Sequence, residues 1–141
     1  VIIGEGSDLK RFKKEYPDII FKGFLPYREL AYNQRAADVL VIPNSGKSKV
    51  SSFYTSPLKV FAHMSSGVPI VASDLPALKE VLNKNNSILV EPDSSESLAE
   101  GIKKVLEDKN LAENISRQAL LDVAKYTWQK RAKAILNHIK Q

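Results

Sequence analysis

Three lysines and a helix start are the groups in this sequence best placed to do chemistry. The stretch Ser45 to Gly67 reads SGKSKVSSFYTSPLKVFAHMSSG: a long polar loop carrying Lys47 and Lys49, then a short apolar helix carrying Lys59. Ser56 suits the N-cap and Pro57 the first helical position, where a missing N–H costs nothing and φ is already set. The free N–H groups of Leu58 and Lys59 would then point out of the helix start together with the positive end of its dipole. Such a start attracts oxyanions, phosphate above all. The same residues also read as an ordinary cap behind a solvated charged loop. A helix over 57–66 puts Leu58, Phe61, Ala62 and Ser65 on one face and Lys59, His63 and Ser66 on another.

Fewer signals come from elsewhere. Gly4-Glu5-Gly6 is a two-glycine turn, short of a full dinucleotide fingerprint, and a plain turn explains it as well as a ligand does. His63 shares its face with Lys59, although a lone histidine is more often structural. Trp128 reads as a packing anchor rather than a sugar platform. Asp74 and Glu80 form the one pair readable as acid and base, and no His, Asp and Glu set has metal-ligand spacing. The absence of cysteine removes disulfides, thiolate zinc sites and cysteine nucleophiles together.

The elements that must position these groups alternate. Strands are expected at Val1–Ile3, Ile19–Lys22, Asp38–Ile42, Ile70–Ala72 and Ile88–Val90, and their continuously apolar character predicts burial on both faces. Helical patterns fall between them, and Asp93 with Glu96 reads as a capping box for a helix running to about Leu106. Two further amphipathic helices follow, over Leu111–Ala124 and Trp128–Ile139. This order predicts an α/β fold: a Rossmann-like parallel sheet with helices on both faces. In such sheets ligands lie beyond the carboxyl ends of the strands. The loops expected there are Gly4–Gly6, Gly23–Leu25, Pro43–Ser56, Ser73-Asp74 and Glu91-Pro92.

At 141 residues the chain suits a single domain, 1–141, and no internal repeat or linker divides it. The net charge of +5 is spread along helices such as Lys10–Lys14 and Lys125–Lys133, with no aromatic-interleaved basic stripe. Nucleic acid is therefore not expected as a partner; a phosphate-bearing small molecule or an acidic membrane surface fits the charge better. No apolar run approaches the ~20 residues of a membrane span, and no signal-peptide pattern is present. The expected location is the cytoplasm, either free or peripheral at the membrane. The chain opens on Val1-Ile2-Ile3-Gly4, inside a strand, which reads as a fragment of a longer two-domain protein.

The order of motifs carries a further signal. Val-Ile-Ile-Gly-Glu-Gly, Ile-Ile-Phe-Lys-Gly-Phe, Ala-Ala-Asp-Val-Leu-Val-Ile-Pro, Gly-Val-Pro-Ile-Val-Ala-Ser, Ser-Ile-Leu-Val-Glu-Pro-Asp and Tyr-Thr-Trp follow one another along the chain. In that order and spacing they resemble the C-terminal domain of glycosyltransferase family 4, the retaining group 1 transferases of the GT-B fold. The resemblance implies a domain that binds a nucleotide diphosphate sugar as donor substrate, with no cofactor and no metal. A separate N-terminal domain, absent here, would hold the acceptor. It also implies an earlier strand in the middle of the sheet, so that an upstream segment or a neighbouring chain should fill its place. The turns at Gly4 and Gly6 and at Phe24 and Leu25 would line the nucleotide. Tyr54, Thr55, Ser56, Leu58 and Lys59 would meet the diphosphate and the sugar, which agrees with the anion site read from capping. The family commonly carries two glutamates separated by seven residues; here Tyr54 and Ala62 occupy those positions, and no catalytic residue is assigned.

Overall fold

The structure is a computed structural model and describes residues 1–54 and 58–139. It divides into two compact units, Val1–Asn33 and Gln34–Gln141. The first unit holds strand β1 (Ile2–Ile3), helix α1 (Leu9–Glu15), strand β2 (Phe21–Lys22) and most of helix α2 (Tyr27–Arg35). β1 and β2 run parallel, with Ile2 opposite Phe21 and Ile3 opposite Lys22. Lys22 Nζ donates to Asn33 Oδ1 at 3.2 Å and ties β2 to α2.

The expected burial of this first strand fails. Val1 and Ile2 are exposed, as are Ile19 and Ile20 beside β2, and no residue of this unit is fully buried. A ladder of two strands, each two residues long, has too little sheet to sandwich its side chains between two layers.

The second unit contains the core. Strands β3 (Leu40–Ile42), β4 (Ile70–Ser73) and β5 (Ile88–Val90) form a parallel sheet in the order β3-β4-β5. Val41 pairs with Val71 and Val71 with Ile88, which leaves β4 central and buried at all four positions. Because side chains alternate along a strand, β4 feeds two cores. Ile70 and Ala72 join Ile42 against Val60 and Met64 of helix α3 (Leu58–Ser66) and Leu78 of helix α4 (Pro76–Lys79). Val71 and Val90 face the other way, against Val105 of helix α5 (Ser95–Glu107) and Ile115 of helix α6 (Lys109–Val123). Helices thus cover both faces, as a doubly covered parallel sheet requires.

Gly101 allows the close approach of α5. A Cβ there would lie 2.6 Å from Val90 Cγ1 and 3.0 Å from Val71 Cγ1, so no larger residue fits without displacement. Asp108 ends α5, its N–H bonding Lys104 O, and starts α6, its carboxylate accepting Leu111 N–H at 2.9 Å. Asn86 and Ser87, both buried, have their polar atoms bonded within the fold.

Three expectations about faces and caps are corrected. The buried side of α3 is Val60 and Met64, whereas Leu58 and Ala62 are exposed, because the i, i+4 pair that meets the sheet lies on neither of the two faces read from sequence. Ser94, not Asp93, caps α5: its extended backbone lets its hydroxyl accept Ser97 N–H at 3.1 Å, while Asp93 sits at φ +59°, outside cap geometry. Trp128, at the start of helix α7 (Trp128–Ile139), is 74% exposed and anchors nothing; no residue of α7 is buried.

Candidate functional site

The parallel order of β3, β4 and β5 sends three connections out of the same edge of the sheet. These are the segment after Ile42, the Ser73–Asp74 turn and the Glu91–Ser94 turn. A cavity of about 130 Å³ opens there, lined by Pro43, Ser73, Val90, Glu91, Asp93 and Ser94, among others. The three loops expected at the carboxyl ends in this unit are therefore brought together. A second cavity, of about 170 Å³, is lined by Val60 and Phe61 of α3, Ala77 and Leu78 of α4, and Tyr126.

The segment after β3 is less open than its polar sequence suggests. Val50–Tyr54 forms a single π-helical turn, a rare geometry that concentrates at functional sites. Ser52, buried inside it, donates its hydroxyl to Gly46 O at 3.1 Å, and Ser52 N–H bonds Ser48 O at 2.9 Å. Gly46 N–H in turn donates to Asp93 Oδ2 at 2.9 Å. The loop is thereby curled on itself and fastened to the β5–α5 turn. Among the residues from Ser45 to Gly67 there is no Asp or Glu, and the side chains of Lys47, Lys49 and Lys59 are all exposed.

Tyr54 ends the π-helical turn and is 80% exposed. Leu58 and Lys59 occupy the first turn of α3, both exposed. Thr55 and Ser56, with the Pro57 expected beside them, lie outside the described residues. In the first unit Gly4 has φ +137°, and its N–H reaches the carbonyls of Lys22 at 3.2 Å and Gly23 at 3.3 Å. That bond brings the Gly4–Gly6 turn beside the Gly23–Leu25 turn. Gly6 accepts Leu9 N–H at the start of α1, Phe24 is exposed at 73% and Leu25 is half-buried.

His63 lies one turn past Lys59 and is half-buried. Gln34 Nε2 lies 3.2 Å from its Nδ1, within hydrogen-bond distance. Burial first, and the Lys59 charge second, lower its pKa to about 4, which keeps the ring neutral. Asp74 is ion-paired to Lys79 at 2.6 Å, so the Asp74–Glu80 reading as acid and base gains nothing from the geometry.

Sequence reasoning missed Asp93 and Gly46. The signal was a carboxylate one residue before a better cap, at a position where Asp and Asn tolerate left-handed backbone.

Comparison with known proteins fits this arrangement. Residues 1–108 match the family model described as glycosyl transferases group 1. An uncharacterised glycosyltransferase of Methanocaldococcus jannaschii is 32% identical over 121 residues, covering 84% of this chain and 29% of that relative. The chain thus spans less than a third of that relative's length. The solved C-terminal domain of a group 1 glycosyl transferase (LpcC) from Francisella tularensis superposes with TM-score 0.65 at 26% identity, over 86% of this chain and 62% of that one. The Anabaena protein HepE, solved in complex with UDP-glucose, shares the fold at TM-score 0.72 and 19% identity, over 87% of this chain and 35% of that one. With the family model covering more than two thirds of the residues, a doubly covered parallel sheet and a matching C-terminal domain, the chain belongs to the group 1 glycosyl transferases of the GT-B fold.

Proposed function

We propose that this chain is the donor-binding domain of a retaining glycosyltransferase. It would take a hexose or related sugar from a nucleotide diphosphate to a glycan or lipid-linked acceptor held by a second domain. The observation that carries the reading is the acid-free, lysine-bearing segment fastened at the carboxyl ends of β3 and β5 and leading into α3. Phosphate oxygens placed there would meet the Lys59 ammonium as a point charge and the amides of the α3 start. Stabilisation of the leaving diphosphate by such fixed groups is electrostatic preorganisation, which accelerates sugar transfer without a protein nucleophile. UDP-glucose in HepE supports a nucleotide sugar as the ligand class. The workplace would be the cytoplasm or the cytoplasmic surface of a membrane; among the described residues no helix is long and apolar enough to cross one.

Calorimetric titration of the complete protein with UDP, GDP and their sugars tests the reading. Binding that weakens on the order of tenfold in Lys59→Ala supports it, since one charge-assisted contact is of that size. No binding of any of them refutes it. A second reading, a nucleotide-binding or scaffold module without transferase activity, is favoured by Tyr54 and Ala62, both exposed, where the family commonly carries glutamate. Nucleotide binding with no turnover of the donor sugar by the complete protein would select it.

A further inference from the structure

Asp93 holds a costly backbone conformation and does not use it to cap the helix that follows. Its φ of +59° is the one positive value at a non-glycine position among the described residues. Residues persist in that region when something over-determines them. Here the determinant is the loop after β3, 47 positions earlier in sequence: Gly46 N–H donates to Asp93 Oδ2 at 2.9 Å. The Ser45 side chain acts most strongly on the same carboxyl, followed by the Gly46 amide and Lys47, and together they hold its pKa below the usual carboxylate range. Gly46 is also packed in place, because a Cβ would meet Pro92 Cβ at 3.3 Å and Leu75 Cδ2 at 3.5 Å. From the other side Ser52 donates to Gly46 O. The Ser45–Lys47 backbone is therefore clamped between Asp93 and the π-helical turn.

We propose that Asp93 is a positioning residue that holds Ser45–Lys47, and with it the Lys47 charge, at the strand ends where the donor diphosphate is bound. The proposal rests on the donor-binding reading above. An anionic side chain near a phosphate site would ordinarily oppose binding. Asp93 offsets that penalty because its charge is met locally by the Ser45 and Gly46 donors.

The test uses the complete protein and three substitutions. Asp93→Gly keeps the left-handed backbone at no steric cost and removes the carboxylate. Asp93→Asn keeps both the backbone and one acceptor oxygen. Asp108→Ala removes a matched carboxylate–amide contact, that of Asp108 with Leu111 at 2.9 Å, at a helix start remote in sequence. Hydrogen exchange of the Gly46 amide is followed without ligand, and UDP and GDP are titrated calorimetrically.

In Asp93→Gly the Gly46 amide exchanges on the order of tenfold faster, and nucleotide affinity falls by a similar factor, the value of one charge-assisted hydrogen bond. Asp93→Asn recovers most of both, and Asp108→Ala changes neither. Unaltered Gly46 exchange in Asp93→Gly overturns the clamp. Faster exchange with unchanged nucleotide affinity overturns the positioning role while leaving the donor reading intact. Failure of the unsubstituted protein to bind either nucleotide removes the donor reading, and the proposal with it, as a separate result.

Discussion

Acidification will cost this protein stability through His63 before its carboxylates protonate. The folded ring has a pKa of about 4, lowered by burial and then by Lys59, against 6.5 for an unperturbed histidine. The folded value is depressed, so the stability is fully present above the unfolded pKa and is lost as pH falls toward the folded one. Between those values the unfolded chain takes up a proton that the folded one refuses. At pH 5 the linkage amounts to about 2 kcal/mol for a fully shielded ring, and about 1 kcal/mol once solvent screening of a half-buried one is allowed for. The comparison variant is His63→Asn, whose Oδ1 stands near Nδ1 and can accept from Gln34 but carries no charge. Urea unfolding at several pH values from about 7.5 down to 5 gives the readout. The parent protein should lose about 1 kcal/mol more than the variant across this window, with no difference in slope above pH 7. Parallel curves would refute both the burial of the ring and its neutrality. A Lys59→Met variant should show a smaller loss, because the second cause of the shift is gone.

Three further outcomes follow from the packing and the hydrogen bonds. Gly101→Ala should destabilise by about 1–3 kcal/mol in thermal or urea unfolding, because its Cβ collides with Val90 at 2.6 Å; unchanged stability would mean that α5 sits farther from the sheet. Asn86→Ala should cost about 1–3 kcal/mol, since its amide bonds Val81 O at 3.1 Å and Asp122 Oδ2 at 3.0 Å and leaves them unpaired; a neutral result would mean that water replaces it. Asp108→Ala should cost about 1 kcal/mol and fray the start of α6, seen as faster exchange of the Leu111 amide.

Much of the architecture was legible in the sequence for simple reasons. The short, uniformly apolar runs Leu40–Ile42, Ile70–Ala72 and Ile88–Val90 read as strands and the sheet is built on them, with β4 buried throughout and β3 and β5 half-buried at two of their three positions. The Trp128–Ile139 pattern is a helix in the structure, because helical periodicity is local. What failed depends on distant partners. Apolar residues at 1–3 looked like core, yet nothing in local pattern reveals that their ladder has only two strands. Trp128 looked like an anchor because of its size, and the structure leaves it bare. Lys47, Lys49 and Lys59 were visible as charges; the clamp on Gly46 was not, since Asp93 is 47 residues away and its left-handed backbone leaves no mark in composition. A serine-rich loop likewise gives no sign of a π-helical turn, which depends on Ser52 reaching Gly46.

The central claim is that nucleotide phosphates meet the segment between β3 and α3. The most direct measurement is the amide NMR spectrum of the protein titrated with UDP and GDP. Saturable shifts concentrated at Gly46, Lys47, Leu58 and Lys59, with the midpoint moved to about tenfold higher nucleotide in Lys59→Ala, are the predicted result. Saturable shifts confined to α6 and α7, with those four amides unmoved, would contradict it.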